Sequence, residues 1–122
     1  MSWSFSNDKP IFQQLVDIIT LKIISGEYGA GSKLEAVREL AVVAGVNPNT
    51  MQRALTQIEG TGLIFTKRGD GRYVTEDEEK ITAAKNAYVA ERVRLFIESV
   101  KALGLDEEEI LKAVNNVLGR QI

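Results

Sequence analysis

The sequence predicts a mainly α-helical fold with one small β-hairpin. Three observations lead to this class: apolar residues recur at helical spacing in five segments, glycine or proline marks several segment boundaries, and two short apolar runs flank a glycine-bearing loop. The length of 122 residues and the 44% content of hydrophobic residues indicate one small domain with an appendage.

An extended arm and a long helix are predicted at the start of the chain. Trp3 and Phe5 alternate with serines, which is typical of a short extended segment with one apolar face. The first helix is predicted over residues 10–25 because its apolar side chains fall on one stripe: Phe12, Leu15, Ile19 and Ile23. Gly26 favours a stop there, and residues 33–34 are expected to form a short strand or bridge.

Two further helices are predicted around a glycine-containing turn. The second covers residues 36–44 and ends at Gly45. The third begins with Asn47 as its N-cap and Pro48 at the first helical position, and it ends near Thr61. This spacing is typical of a helix-turn-helix. The third helix exposes amides, a hydroxyl and a guanidinium, which are groups that pair with base edges and phosphates: Asn47, Asn49, Thr50, Gln52 and Arg53.

A hairpin is predicted directly after the helix-turn-helix, and together they make a winged helix. The strands are expected at residues 63–66 and 73–75, with residues 67–72 as the loop between them. The loop is mostly basic, so we expect its cations to follow a DNA groove beside the third helix: Lys67, Arg68 and Arg72. Asp70 is an acid at the wing tip, where we expect it to oppose DNA binding.

The tail is predicted to contain a long helix over residues 78–103 and a last helix capped by Asp106, with Glu109 completing a capping box. Two helices of this size cannot bury their apolar stripes on each other alone. We therefore expect a homodimer through the stripe residues Tyr88, Val89, Val93, Phe96, Val100, Val114, Val117 and Leu118. The predicted domains are residues 1–75, which bind DNA, and residues 76–122, which dimerise.

Composition narrows the class of function. The chain has no cysteine and no histidine, and no nucleophile–base pair, metal cluster or phosphate loop can be assembled from its residues. We therefore expect a protein that is not an enzyme and needs no metal or cofactor. No apolar run approaches the ~20 residues of a membrane span, and the absence of cysteine fits a cytoplasmic protein.

The charge is unevenly distributed between the two predicted domains. The whole chain has a net charge of −2, but residues 1–75 contain eight basic and seven acidic residues, whereas residues 76–122 contain seven basic and ten acidic residues. The acidic excess thus belongs to the tail, and the first domain is weakly basic. We expect DNA binding of modest affinity with a steep dependence on salt concentration.

Several sequence motifs follow one another in residues 9–75. They include PIFQQL at residues 10–15, VRELA at residues 37–41, GVNPNT at residues 45–50 and GDG at residues 69–71. In this order they resemble the GntR family of bacterial transcriptional regulators, and the short two-helix tail is similar to that of the YtrA-like subfamily, whose tails dimerise. The resemblance implies a homodimeric, operator-binding repressor, and the two-fold symmetry of such a dimer predicts a near-palindromic DNA site. It does not indicate a small-molecule effector.

The resemblance also implies roles for single residues. Arg38 matches an arginine of the second helix that contacts the DNA backbone and often a base. Pro48 and its polar neighbours in residues 47–53 match the DNA-facing start of the recognition helix. Gly69 and Gly71 match wing glycines that allow close approach to the minor groove.

Two acidic residues, Glu35 and Asp70, favour a different function. Glu35 and Ala36 stand where the family usually has proline and serine, so a carboxylate lies on the expected DNA side and a phosphate-binding hydroxyl is missing. Asp70 adds a second acid, while Arg72 replaces a residue that is commonly threonine and adds a cation. Together with the weak net charge, the acids favour the alternative of a winged-helix protein-interaction module without a DNA target.

Overall fold

The computed structural model describes residues 3–120, which form five helices and one two-stranded antiparallel sheet. The elements are α1 (Ile11–Ile24), α2 (Val37–Ala44), α3 (Pro48–Thr61), β1 (Ile64–Lys67), β2 (Gly71–Val74), α4 (Glu78–Lys101) and α5 (Glu107–Leu118). This confirms the predicted mainly α-helical class with a small hairpin. The last two residues of the predicted tail, 121 and 122, lie outside the described part. None of the helices in residues 3–120 combines the length and apolar character that a membrane span requires.

The chain divides into two compact units within α4, the first reaching to Lys85 and the second beginning at Asn86. The first turns of α4 belong to the first unit because Ile81 and Ala84 pack against its core. The sequence-based boundary at residue 75 was drawn from the end of the hairpin, where no such packing could be read from the pattern.

The core of the first unit is formed by the apolar faces of all three of its complete helices and by the hairpin. The predicted stripe of α1 is buried at Leu15, Ile19 and Ile23, and that of α3 at Met51, Leu55 and Ile58. The core also contains residues from α2, from the linker before it and from the hairpin: Leu34, Leu40, Ala41, Ala44, Leu63, Ile64 and Val74. Burial of the α3 stripe fixes which face of that helix is exposed.

The helix boundaries follow the predicted capping chemistry. The Asn47 side-chain oxygen accepts a hydrogen bond from the backbone N–H of Asn49 at 2.7 Å, and Pro48 occupies the first helical position. Gly45 ends α2 and Gly62 ends α3, both in the left-handed conformation that glycine adopts without steric cost. The prediction extends α1 one residue too far at each end, begins α2 one residue early, and extends α4 two residues too far at its C-terminal end.

The strands reach closer to the wing tip than the sequence predicted, and residues 63 and 75, predicted as strand residues, lie outside β1 and β2. Lys67 and Arg72 are strand residues and not loop residues, because β1 and β2 pair from Ile64↔Val74 as far as Lys67↔Gly71. The linker before α2 explains the difference: the Leu34 N–H donates to the Arg72 carbonyl at 2.9 Å, and residues 33 and 73 form the isolated bridge expected for that segment. Pairing on both edges extends β2 and leaves residues 68–70 as the turn.

The second unit contains the rest of α4 and α5. The predicted capping box is present, with Glu109 N–H donating to the Asp106 carboxylate at 2.9 Å and the Asp106 N–H donating to Glu109 at 3.1 Å. Ile110 of α5 is buried, whereas the described side chains of α4 include none that is buried. The apolar stripes of this unit therefore remain largely open to solvent in a single chain.

Candidate nucleic-acid interface

The exposed start of α3 presents the polar groups that the sequence singled out. Asn49, Gln52 and Arg53 are exposed, Thr50 is half-buried, and Met51 between them points into the core. Asn47 is exposed as well, but its side-chain oxygen is already engaged in capping the helix. The amide nitrogen of Asn47 and the side chains of Asn49, Gln52 and Arg53 therefore form the part of this face that can pair with base edges.

The guanidinium of Arg53 is placed by an aromatic ring of the neighbouring helix. Its central carbon lies 3.7 Å from the centroid of the Phe12 ring of α1. A stacked guanidinium has fewer conformations to lose when it binds, because its plane is already fixed by the ring. Phe12 was predicted only as a core residue; the structure shows it half-buried beneath Arg53.

Three other predicted contact residues have no internal partner. Within residues 3–120, the exposed side chains of Arg38, Gln52 and Arg68 form no hydrogen bond or ion pair. Arg38 projects from α2, Gln52 from α3 and Arg68 from the turn of the wing. Their donors are therefore available to a ligand without breaking a contact inside the protein.

The wing cations differ in their surroundings. The Lys67 ammonium lies 4.3 Å from the centroid of the Tyr73 ring and is exposed. Arg72 instead forms an ion pair with Glu59 of α3, and only 17% of its side chain is exposed. Glu59 also accepts a hydrogen bond from the Thr66 hydroxyl at 2.9 Å, so this carboxylate connects the recognition helix to both strands. The structure thus separates Arg72 from the free wing cations with which the sequence grouped it.

Asp70 is also engaged, although the sequence predicted it only as a charge that opposes DNA binding. Its carboxylate accepts from the Lys33 ammonium at 2.8 Å and from the Tyr73 hydroxyl at 2.7 Å. The hydrogen bond from Lys33, followed by that from Tyr73, lowers the pKa of Asp70 below its ordinary value. The carboxylate is therefore charged at neutral pH and forms an ion pair with Lys33 at the protein surface.

Glu35 shares a groove with Asp70 but has weaker contacts. The two carboxylates line a groove of about 460 Å³ between the start of α2 and the wing. Glu35 accepts a hydrogen bond from the Tyr28 hydroxyl at 3.4 Å. Burial of Tyr28 and, next, the charge of Glu35 raise the pKa of Tyr28 to about 12, so this hydroxyl stays protonated.

Five of the eight predicted dimerisation residues lie around one groove of the second unit. Tyr88, Val89, Val93 and Phe96 of α4 and Val114 of α5 line a groove of about 530 Å³, here called the tail groove. Its lining is almost wholly apolar. The Arg92 guanidinium also lines the groove and donates a hydrogen bond to the Tyr88 hydroxyl. Three predicted residues do not line the groove: Val100, Val117 and Leu118.

The residues that sequence reasoning missed are those that support other residues. Lys33, Glu59 and Tyr73 were not predicted as site residues, yet they contact Asp70, Arg72 and Lys67. The placement of Tyr73 opposite Phe65 in the hairpin would have indicated a ring beside the wing cations. No local pattern indicates Lys33 or Glu59, because their partners lie far along the chain.

The sequence is similar to proteins of one family. Residues 11–74 match the family described as bacterial regulatory proteins, gntR family. The chain is 36% identical to the uncharacterised HTH-type transcriptional regulator YhcF of Bacillus subtilis, over 93% of the chain and 94% of YhcF. It is 34% identical to the HTH-type transcriptional repressor YtrA of the same species, over 80% of the chain and 70% of YtrA.

A solved structure extends this likeness to three dimensions. A GntR family transcriptional regulator from Listeria monocytogenes is 41% identical to the chain and superposes with a TM-score of 0.86, covering 92% of this chain and 98% of its own. The family match spans the helices and hairpin that carry the exposed polar face, and the relatives extend across the tail. The chain therefore belongs to the GntR family of bacterial regulatory proteins and is a DNA-binding transcriptional regulator.

Proposed function

We propose that the protein represses transcription by binding a near-palindromic operator as a homodimer. The observation that carries this proposal is the uncovered apolar tail groove, combined with a recognition helix whose polar start is free to contact bases. One winged helix reads only a few base pairs, and a second copy doubles the contact with DNA. Repression is supported by the likeness to YtrA, which is a transcriptional repressor.

A second copy of the chain is the occupant we assign to the tail groove. Val93 is 48% and Phe96 is 42% exposed in the single chain, and Leu111 and Val117 of α5 are exposed as well. Helix faces of this kind are buried most economically against an identical face, since both copies then cover the same residues. The described residues that line the groove include no acidic side chain, and the cation among them, Arg92, is hydrogen-bonded to the Tyr88 hydroxyl, so a second copy would cover mostly apolar side chains.

The operator geometry can be tested by changing the spacing between half-sites. Two recognition helices related by a two-fold axis contact major grooves about one helical turn, or a multiple of it, apart. Insertion of five base pairs rotates one half-site by roughly half a turn, to the opposite face of the duplex. We expect specific affinity to fall to that of a single half-site in a gel-shift titration, and an insertion of ten base pairs to restore part of it. Unchanged affinity after the five-base-pair insertion contradicts the proposed dimer on DNA.

Lys67 is expected to contact a phosphate and not a base. It lies on the wing with an exposed ammonium, and a phosphate contact carries little sequence information. Lys67→Ala should weaken binding to operator and scrambled duplex by a similar factor and reduce the salt slope of log K by about one. Glu78→Ala at the start of α4 serves as a control outside the wing. A loss confined to the operator would assign Lys67 to base recognition instead.

The salt titration also distinguishes this proposal from a protein-interaction module. A DNA-binding wing predicts that affinity for any duplex falls steeply as salt rises, because bound cations release counterions from the phosphates. A module without a DNA target shows no duplex shift at any salt concentration. Operators for these measurements are obtained by selecting bound sites from random DNA.

A further inference from the structure

We propose that Asp70 is a positioning residue that holds the wing tip in its DNA-binding orientation through Lys33 and Tyr73. These three residues are here called the wing clasp. The inference rests on the proposed function, in which the wing contacts DNA. It reverses the expectation that the charge of Asp70 simply opposes binding.

Backbone pairing stops just before the wing tip. On one edge of β2, the last ladder pair with β1 is Lys67↔Gly71. On the other edge, the linker pairs as far as the Leu34 N–H, which donates to the Arg72 carbonyl at 2.9 Å. The turn at residues 68–70 has one backbone bond of its own, from the Asp70 N–H to the Lys67 carbonyl at 2.9 Å. Its orientation relative to the linker therefore depends on side chains.

The wing clasp supplies that side-chain connection. One carboxylate oxygen of Asp70 accepts from Lys33 of the linker and the other accepts from the hydroxyl of Tyr73 on β2. The Tyr73 ring stacks with Phe65 at 6.0 Å and lies 4.3 Å from the Lys67 ammonium. Asp70 thus fixes the ring that supports one of the two free cations of the wing, and it keeps the Lys33 charge at the wing tip.

Gly71 lies directly against the Lys33 side chain of the clasp. A Cβ at this position would lie 3.0 Å from Cε of Lys33, and the Gly71 φ angle of +153° is one that other residues rarely adopt. The absence of a side chain leaves room for the Lys33 stem to cross the wing and reach Asp70. The backbone conformation at residue 71 favours glycine by itself, and the Lys33 side chain passes over the position that a side chain would otherwise occupy.

Charge alone predicts the opposite effect, which makes the inference testable. Removal of the Asp70 charge adds one net positive charge beside phosphate and would tighten DNA binding. Glu35 is the matched control because it lines the same groove, and its side chain receives one long hydrogen bond, from Tyr28. Glu35→Gln changes the charge by the same amount and leaves the clasp intact.

The experiment compares three full-length variants on one operator and on scrambled duplex. Asp70→Asn and Tyr73→Phe should each weaken DNA binding about two- to fivefold, which is the range of a surface polar contact. We expect this loss although Asp70→Asn makes the net charge more positive and Tyr73→Phe leaves it unchanged. Glu35→Gln should tighten binding to both duplexes, most at low salt. Amide heteronuclear NOEs of residues 68–70 in the free protein should fall in the first two variants and not in the third, with thermal midpoints near wild type.

The inference is overturned if Asp70→Asn tightens binding as much as Glu35→Gln does while Tyr73→Phe binds as wild type. Failure of the proposed function is seen separately, because the wild-type protein would then shift no duplex at any salt concentration. The heteronuclear NOEs then test by themselves whether the clasp orders the wing tip. Increased motion at residues 68–70 in Asp70→Asn supports a clasp that orders the wing, and unchanged values exclude it.

Discussion

Phe96→Asp should convert the protein from a dimer to a monomer at micromolar concentration in analytical ultracentrifugation. The Phe96 ring lines the tail groove and is 42% exposed in the single chain, so the proposed second copy would cover it. An aspartate there would lose most of its water in a mostly apolar interface, where Arg92, the charged residue of the lining, is already hydrogen-bonded to Tyr88, at a cost of about 3–5 kcal/mol. The dissociation constant of the dimer should therefore rise by more than ~100-fold.

Leu95→Asp is the matched control for this variant. Leu95 is the preceding residue of α4, it is 49% exposed, and it does not line the tail groove. The same change of an apolar side chain to a carboxylate should leave the dimer intact. If both variants dissociate, the groove is not the specific interface; a wild type that sediments as a monomer contradicts the dimer itself.

Loss of the dimer should also reduce operator affinity without unfolding the DNA-binding unit. Phe96 belongs to the second compact unit, and the buried core of the first unit contains no residue beyond Lys85. Far-UV circular dichroism of Phe96→Asp should therefore remain close to wild type. Binding to the palindromic site should approach that of one half-site, because the second contact is no longer intramolecular.

The elements that the sequence predicted well are those determined by neighbouring residues. The Asn47 cap, the left-handed Gly62 and the Asp106–Glu109 box each depend on groups within about four residues, and each was found where expected. The helical stripes are equally local, since their period alone selects the buried face. These features were sufficient to predict the winged helix and the exposed start of α3.

The features that could not be predicted depend on residues distant in sequence. Arg72 pairs with Glu59, 13 positions away, and Asp70 pairs with Lys33, 37 positions away. The sequence analysis described Arg72 and Asp70 only by their charges, whereas in the structure each is held in an ion pair within the chain. The strand limits of the wing were misjudged for the same reason, because the bridge expected at residues 33–34 does not by itself indicate which residues of the hairpin it pairs with.

Arg53→Ala should remove most of the preference for the operator over scrambled DNA. Arg53 lies on the exposed face of α3, where a guanidinium can donate two hydrogen bonds to one guanine. Loss of such a bidentate contact reduces discrimination by roughly 1–3 kcal/mol. Affinity for scrambled DNA should fall much less, since phosphate contacts from the wing and from Arg38 remain.

Two further variants separate base reading from simple charge at this position. Arg53→Lys keeps the cation but not the planar fork, so it should lose discrimination almost as Arg53→Ala does. Phe12→Leu keeps Arg53 but removes the ring that lies 3.7 Å beneath it, and it should show an intermediate loss because the guanidinium is less well oriented. Competition titrations with operator and scrambled duplex at one salt concentration measure the preference for the operator in Arg53→Ala, Arg53→Lys and Phe12→Leu. If Arg53→Lys retains the wild-type preference, Arg53 contacts a phosphate and specificity arises from Asn49, Gln52 or Arg38.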